Sequence, residues 1–139
     1  MTIYCEIVTQ ERILFQGEAD LVTLPGEAGQ IGILPKHSPL LTTLKYGIIK
    51  VRLAETENIF TVYGGVAEVQ PDQITILADA ADRLDEIDLN ETEEAKRHAE
   101  RALKKKDRLT EDAEMEMWEA LRRSNVRLDA VRRFRQSRD

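Results

Sequence analysis

The sequence changes character near residue 84, and this change constrains the fold more than any other feature. Up to that point, short apolar segments are separated by Gly, Pro and Asp, whereas from Asn90 onward the chain contains no Gly and no Pro. Gly and Pro mark turns, and a long segment without them favours helix. We therefore predict a β-rich domain over residues 1–84, a linker over 85–90 and a helical domain over 91–139.

The first part has the pattern of an all-β domain. Residues alternate in polarity from Ile3 to Val8, which is the period of a strand with one buried face. Short strands separated by turn-forming pairs predict an antiparallel sandwich or barrel rather than alternating β and α units. The further predicted strands are Leu21 to Leu24, Ile48 to Leu53, Asn58 to Tyr63, Val66 to Val69 and Ile74 to Ala78. The predicted breaks are Pro25-Gly26, Tyr46-Gly47, Gly64-Gly65 and Pro71-Asp72.

The second part has the pattern of an antiparallel two-helix hairpin. Asn90 followed by Glu93 has the form of a capping box, which predicts that the first helix begins there. Thr110 is the predicted N-cap of the second helix, whose first turn is acidic. The packing faces hold few large residues, so we expect the hairpin to be able to leave one docking surface for another. These faces comprise Ala95, Ala99, Ala102 and Leu109, and then Ala113, Met117, Leu121, Ser124, Leu128 and Val131.

Charge and residue types limit the possible functions. With 26 acidic and 20 basic side chains the net charge is −6, whereas general nucleic-acid binding needs net positive charge. The single cysteine, Cys5, cannot form an intrachain disulfide, which suits a reducing compartment. Residues 1–9 lack the pattern of a signal peptide, and the apolar runs are too short to cross a bilayer. We therefore expect a soluble chain that reaches a membrane only through another protein.

Positive charge is concentrated at the C-terminal end. The segment from Ala120 to Asp139 has a net charge of +5, which leaves −11 for the rest of the chain. A solvated helix end is one interpretation, because arginine is favourable at the C-terminal end of a helix. A basic arm that docks on an acidic partner is the other. The arginines are Arg122, Arg123, Arg127, Arg132, Arg133, Arg135 and Arg138.

The sequence contains no motif of an active site. There is no G-x-x-x-x-G-K-[ST] loop, and the glycines at positions 26, 29 and 32 lack dinucleotide-binding spacing, so we assign them to turns. The two histidines, His37 and His98, lie in different parts and predict no metal site. None of Ser38, Ser124 and Ser137 lies in a G-x-S-x-G elbow. We predict that the chain is not an enzyme.

Three motifs resemble those of a known family. Residues 29–41, GQIGILPKHSPLL, resemble the G-x-x-G-I-L-P-x-H-x-P-L-L signature of the epsilon subunits of F-type ATP synthases. Residues 63–69 (YGGVAEV) resemble the second marker of that family, and residues 74–79 (ITILAD) resemble the third. The motifs occur in the order of the family, and a helical half follows them. The resemblance covers nearly the whole chain, and its first motif is specific.

The resemblance implies a fold and a function. The fold would be a β-sandwich or flattened barrel of about ten strands, followed by a two-helix hairpin. The function would be that of a non-catalytic rotor subunit, which couples proton-driven rotation of the c-ring to ATP synthesis and inhibits ATP hydrolysis through its helices. Its partners would be the gamma subunit, the c-ring and the alpha/beta catalytic head. It would lie peripherally at the cytoplasmic face of a bacterial plasma membrane, or at the stromal or cytoplasmic face of a thylakoid.

The resemblance also implies site residues. Gln30 stands where some members carry Glu, so an amide hydrogen bond would replace a charge pair with the c-ring. The residues implied in contacts with the gamma subunit and the c-ring are Glu27, Ala28, Gly29, Gln30, Ile31 and His37. The residues implied in docking on an acidic segment of the beta subunits, and so in inhibiting hydrolysis, are Arg122, Arg123 and Arg127.

Some members of the family bind ATP through an I/L-D-x-x-R-A motif. Here residues 87–88 begin it correctly, but residues 91–92 are Glu-Thr in place of Arg-Ala. A carboxylate beside a phosphate repels it, so we expect no tight nucleotide site and no other cofactor. Weak ATP binding that involves Asp88 is the alternative, with Arg97 and Arg101 as compensating cations.

Two other classes of protein fit parts of the pattern. A β-sandwich adaptor unrelated to ATP synthase would share the two-part architecture and recruit a partner through its hairpin. A cupin-like metalloenzyme would use His37 inside a β-rich domain, although the second histidine lies in the predicted helical half.

Overall fold

The structure, a computed structural model, describes residues 1–135. It divides into a β unit and a helical unit, with the boundary between Leu84 and Asp85. The strands are β1 (Ile3–Val8), β2 (Ile13–Ala19), β3 (Leu21–Gly26), β4 (Gly29–Ile33), β5 (Leu40–Leu53), β6 (Thr56–Val69), β7 (Gln73–Ala78) and β8 (Ala81–Arg83). The helices are α1 (Leu89–Lys104) and α2 (Glu111–Ala130), with 3-10 turns at Leu84–Glu86 and Lys106–Arg108 and a π-helical turn at Val131–Arg135.

The strands form a sheet in the order β2-β1-β7-β6-β5-β3-β4, and β8 pairs with β6. Neighbouring strands are antiparallel, except that β1 and β7 are parallel. Within the described residues the terminal strands, β2 and β4, do not pair with each other, so the sheet is not a closed barrel. The predicted β-sandwich is confirmed, in an open form.

The strand count is eight, fewer than the roughly ten that the resemblance implied, partly because two strands are long. β5 and β6 each span 14 residues and continue through Tyr46-Gly47 and Gly64-Gly65, so the breaks predicted at these pairs are wrong. The sequence pattern also missed β2, β4 and β8. These strands bury few of their side chains and therefore lack a clear apolar period.

Gly65 keeps its strand partners in a backbone conformation that other residues rarely adopt. Its φ is +138°, and a Cβ atom there would lie 2.3 Å from the carbonyl oxygen of Leu77. Because glycine has no Cβ, the residue stays paired with Leu44 of β5 and with Ala78 of β7. The glycine pair therefore lies within a continuous strand and does not end one.

The core of the β unit is formed by the inward-facing residues of its strands. In β1, Ile3, Cys5 and Ile7 are fully buried and their neighbours are half-buried, which confirms the predicted alternation. Burial raises the pKa of the Cys5 thiol to about 12, with a smaller contribution from the charge of Glu6. The thiol therefore stays protonated at neutral pH. The other large, fully buried residues of this unit are Val22, Leu24, Ile33, Ile49, Val51, Val62, Val69, Ile74 and Ile76.

The helical unit is a hairpin in which α1 packs against α2. The N-cap of α1 is Asp88, whose side chain accepts a hydrogen bond from the backbone N–H of Glu91 at 2.9 Å. The predicted cap, Asn90, lies inside the helix, so that prediction is wrong; the negative charge of Asp88 interacts more favourably with the helix dipole. Thr110 caps α2 as predicted, and its hydroxyl oxygen accepts from the N–H of Ala113 at 3.1 Å.

The packing faces of the hairpin carry few large side chains. On α2, the predicted residues Ser124 and Leu128 are buried. On α1, Ala99 is buried as predicted, whereas Ala95, four residues earlier, is exposed. Thr92 is the other buried residue of α1, because it lies seven residues before Ala99 and therefore on the same side of the helix.

The segment predicted as a linker, residues 85–90, is a 3-10 turn followed by the start of α1. No helix within residues 1–135 is long and apolar enough to cross a membrane. The predicted last part of the hairpin, residues 136–139 with Arg138, lies outside the described residues.

Gly65→Ala is expected to destabilise the β unit by about 3 kcal/mol, because the positive φ and the close carbonyl oxygen both oppose a Cβ atom. Gly32→Ala is the matched control, since its Cβ would meet only the Leu21 side chain, 3.7 Å away. We expect that control to change stability by less than about 0.5 kcal/mol. Urea unfolding followed by circular dichroism measures both, and equal midpoints would show that β6 does not depend on glycine at position 65.

Asp88→Ala is expected to cost the hairpin about 1 kcal/mol, because it removes the acceptor for the Glu91 N–H. Asn90→Ala is expected to be neutral or slightly stabilising, because alanine favours the helix interior. Hydrogen exchange of the α1 amides in each variant measures the difference. A larger effect from Asn90→Ala would restore Asn90 as the cap.

Candidate docking surfaces

The β3–β4 hairpin presents a short polar tip. Glu27 and Ala28 form the turn between the paired residues Gly26 and Gly29, and residues 27–30 are all exposed. The chain can turn this tightly because Gly29 has a φ of +132°. A Cβ at Gly26 would lie 2.4 Å from Cδ1 of Ile31, so the half-buried Ile31 side chain covers that glycine. Five of the six predicted contact residues of the β unit therefore lie in this one hairpin.

His37, the sixth predicted contact residue, lies in the loop between β4 and β5. Its N–H donates to the carbonyl oxygen of Leu34 at 3.1 Å, and its Nδ1 contacts that of Ser38 at 2.7 Å. A carbonyl can only accept, so Nδ1 carries the proton. Lys36, with φ +69°, donates its N–H to the carbonyl oxygen of Pro71 at 2.8 Å. Lys36 thus bonds the loop that carries His37 to the β6–β7 turn, and His37 lies outside the tip.

The outer face of the sheet carries a row of aliphatic residues that the sequence analysis missed. Strand register places Ile13 beside Val8, Val8 beside Leu77, and Leu77 beside Val66. The exposed fractions are 53% for Ile13, 54% for Leu77 and 37% for Val66, and Val8 is half-buried. We call these four residues the outer row. Alternation along each strand predicts an outward position, but only the register shows that the four are neighbours.

A more polar row flanks the outer row on the same face. Leu41 is 70% exposed and lies beside Glu68, which in turn lies beside Thr75, and Thr75 beside Glu6. The Glu6 carboxylate accepts a hydrogen bond from Nε2 of Gln16 at 3.0 Å. The face therefore combines an apolar stripe with an acidic margin, which is the composition of a protein interface with a polar rim.

The predicted docking arginines of α2 differ in exposure. Arg122 is exposed, whereas Arg123 and Arg127 are half-buried. In this form of the hairpin the three guanidinium groups therefore do not present one open basic face.

Two large apolar side chains of α2 are exposed and were also missed. Met115 is 64% exposed and Trp118 is 47% exposed. They are three residues apart and so lie on the same side of the helix. A Trp and a Met among acidic residues, away from the predicted packing face, are the sequence signal that would have identified them.

Asp88 takes part in starting α1. Its carboxylate accepts from the N–H of Glu91, and its carbonyl oxygen accepts from the N–H of Thr92 at 3.0 Å and from the Thr92 hydroxyl at 2.7 Å. The residues that stand in place of Arg-Ala thus belong to the first helical turn. Asp88 serves here as a helix cap.

The two arginines considered as compensating cations are paired with a carboxylate. Nη2 of Arg97 lies 2.9 Å from one oxygen of Glu94, and Nη2 of Arg101 lies 3.5 Å from the other. The hydrogen bond from Arg97 and its positive charge lower the pKa of Glu94, and the same bond and the negative charge of Glu94 raise the pKa of Arg97. These cations are exposed, and a phosphate would have to compete with Glu94 for them.

The most concentrated polar cluster of the β unit has a structural arrangement. The Tyr63 hydroxyl donates to Oδ2 of Asp82 at 2.6 Å, and the Thr61 hydroxyl donates to the same oxygen at 3.2 Å. Tyr63 also packs edge-on against Tyr46, with ring centroids 5.6 Å apart. These bonds fasten β8 to β6. Within residues 1–135 no group of three or more His, Cys, Asp or Glu side chains is placed to hold a metal ion.

Comparison with known proteins identifies the family. The family model described as ATP synthase, Delta/Epsilon chain, beta-sandwich domain matches residues 2–84. The ATP synthase epsilon chain of Stenotrophomonas maltophilia (strain K279a) is 42% identical over 137 residues, which cover 98% of this chain and 96% of that one. The chain belongs to the ATP synthase epsilon chain family. The family resemblance of the sequence motifs is thereby confirmed, and the unrelated adaptor and the cupin-like metalloenzyme are excluded.

Other members of the epsilon chain family match along their whole length. The epsilon chain of Delftia acidovorans is 39% identical over 99% of both chains, and that of Herpetosiphon aurantiacus is 42% identical over 98% of this chain and 100% of that one. The similarity to the family therefore extends over the helical hairpin as well as the β unit.

Two solved structures share the fold. A chain of the Euglena gracilis mitochondrial ATP synthase, from a structure of OSCP, F1 and the c-ring, matches with a TM-score of 0.78 at 22% identity, over 94% of this chain and 81% of that one. A chain from the central stalk and c-ring of the Tetrahymena thermophila mitochondrial ATP synthase matches with a TM-score of 0.57 at 13% identity, over 94% and 96%.

Proposed function

We propose that this epsilon chain family member is a non-catalytic rotor subunit of an F-type ATP synthase, which couples rotation of the c-ring to ATP synthesis. Two findings support the proposal: relatives named ATP synthase epsilon chain match over nearly the whole chain, and the two solved structures of the same fold come from ATP synthases. Its partners would be the gamma subunit, the c-ring and the alpha/beta catalytic head. The complex would hold it at the cytoplasmic face of a bacterial plasma membrane, or at the stromal or cytoplasmic face of a thylakoid.

The outer row is the observation that carries this proposal. Neighbouring aliphatic side chains exposed across four strands form an apolar patch of the kind that is covered by another protein. We assign the gamma subunit to this face, with His37 as a further contact. The polar tip, with Glu27 and Gln30 exposed, suits the polar loops of the c-ring, to which the amide of Gln30 can both donate and accept hydrogen bonds.

The sheet connects these two surfaces mechanically. The tip belongs to β3 and β4, β3 pairs with β5, and β5 pairs with β6, which carries Val66 of the outer row. A force on the tip therefore passes to the outer row through backbone hydrogen bonds within one sheet, with no flexible linker between them. A rigid connection of this kind is what a torque-bearing rotor part needs.

The hairpin would be the regulatory part. Arg122, Arg123 and Arg127 would dock on an acidic surface of the catalytic head and inhibit ATP hydrolysis. Because Arg123 and Arg127 are half-buried in this structure, docking of all three would require the hairpin to change its packing. Asp88 caps α1, and Arg97 is paired with Glu94. Because both residues already have partners within the helix, these contacts support the proposal that no tight nucleotide site is present.

Leu77→Glu is expected to weaken binding to the purified gamma subunit by about 2 kcal/mol, or about thirtyfold in Kd, because it puts a charge into the apolar row. Leu53→Glu is the matched control: Leu53 is 42% exposed but lies at the β5–β6 turn and outside the outer row. Isothermal titration calorimetry measures both affinities. Equal affinities for the two variants would remove the outer row as the gamma contact.

Neutralising Arg122, Arg123 and Arg127 together to glutamine is expected to weaken inhibition of ATP hydrolysis by about tenfold or more, since tenfold is about 1.4 kcal/mol and each of three charge pairs with the head would contribute up to about 1 kcal/mol. The matched control neutralises three exposed lysines, Lys104, Lys105 and Lys106, and so changes the net charge equally. ATPase assays of the assembled enzyme at increasing concentrations of each variant measure the effect. Unchanged activity in the arginine variant would contradict the docking role.

A further inference from the structure

The segment after α2 is bonded to the start of α1. Arg135, the last residue of the π-helical turn, donates from Nη1 to the carbonyl oxygen of Ile87 at 2.8 Å. The two residues are 48 positions apart, the bond is partly buried, and the Ile87 side chain is only 6% exposed. Both residues belong to the helical unit, so the bond closes the hairpin on itself.

The backbone carbonyl of Ile87 needs a hydrogen-bond donor other than the backbone N–H groups of α1. The helical hydrogen bonds begin one residue later, where the Asp88 carbonyl oxygen accepts from Thr92. Ile87 precedes that cap, so its carbonyl takes no part in the regular backbone hydrogen bonds of the helix. A partly buried carbonyl is costly to leave without a partner, and a charged guanidinium is among the stronger donors. Arg135 therefore satisfies a group that the start of the helix leaves open.

The π-helical turn selects Arg135 among the arginines of this segment. A π turn is wider than an α turn and displaces the residues after it relative to a regular helix. Arg132 is exposed to solvent, and Nη1 of Arg133 lies 3.3 Å from Asp129 and its guanidinium carbon 5.1 Å from the ring centroid of Phe134. Arg135 is half-buried and directed to Ile87.

We propose that Arg135 is a clasp that sets the equilibrium between the closed hairpin and a released one. The contact between the helices is shallow, since Leu128 is the only large side chain of α1 or α2, within the described residues, that is almost fully buried. A charge-assisted bond at the end of the hairpin is therefore a substantial part of what holds it shut. The chain supplies both partners, so the clasp closes without a bound ligand. The regulatory meaning of the clasp rests on the proposed function of the hairpin.

Hydrogen exchange of the full-length chain tests the clasp. Arg135→Gln is expected to raise the exchange rates of the α1 and α2 amides about tenfold or more, and to leave those of β5 and β6 unchanged. Arg132→Gln removes the same charge from the same segment, and we expect it to match the wild type. Arg135→Lys retains the charge and an N–H donor group, so it should restore part of the protection. Equal exchange in the Arg135→Gln and Arg132→Gln proteins, or no rescue by lysine, would overturn the clasp.

Inhibition of ATP hydrolysis by the assembled enzyme separates the clasp from the proposed regulation. If the hairpin is the regulatory part, Arg135→Gln should inhibit more strongly than the wild type, because more of the chain is released. Faster exchange with unchanged inhibition would support the clasp and contradict the regulatory function of the hairpin. Stronger inhibition with unchanged exchange would overturn the clasp and leave the regulatory function in place.

Discussion

β5 and β6 pair along almost their whole length, from Leu40 opposite Val69 to Leu53 opposite Thr56, and the rest of the sheet is built on this pair. β3 and then β4 join through β5, whereas β7, β1 and β2 follow β6. Pairing on both sides of β6 continues past Gly65 because this residue has no Cβ. The next residue, Val66, belongs to the outer row. A single backbone constraint thus supports both the strand order and the surface that we assign to docking.

The two units differ in what stabilises them. The β unit fully buries Ile, Val and Leu residues from most of its strands, each worth about 1.5–3 kcal/mol. The hairpin buries small residues such as Ala99, with Leu128 as its main large contact. Polar interactions at its ends, the caps at Asp88 and Thr110 and the bond of Arg135, therefore supply a larger share of its stability. Such a unit opens at a lower free-energy cost than the sheet, which suits the part that we propose to change position.

The sequence predicts those features whose cause is local. The alternation from Ile3 to Val8 follows from strand geometry, and the cap at Thr110 follows from a hydroxyl beside unpaired N–H groups. The Gly64-Gly65 pair predicts a break because the same residue type serves turns and strands, and only the pairing on both sides distinguishes them. Asn90 and Asp88 are both residue types that favour the N-cap position. Which of them caps α1 depends on where the 3-10 turn before the helix ends. The outer row depends on register across four strands, which no single segment encodes.

The arginines of the C-terminal segment show why a charge pattern alone does not define a site. By sequence they form one basic end, with solvation and docking as equal interpretations. In the structure Arg133 pairs with Asp129, Arg135 bonds Ile87, and Arg122 is exposed, so neighbouring arginines have different partners. The bond of Arg135 spans 48 residues and leaves no trace in local composition. Under the proposed function, docking and closure compete for the same segment: a partner that binds the basic end must also overcome the interactions that keep the hairpin closed, and the proposed inhibition depends on that balance.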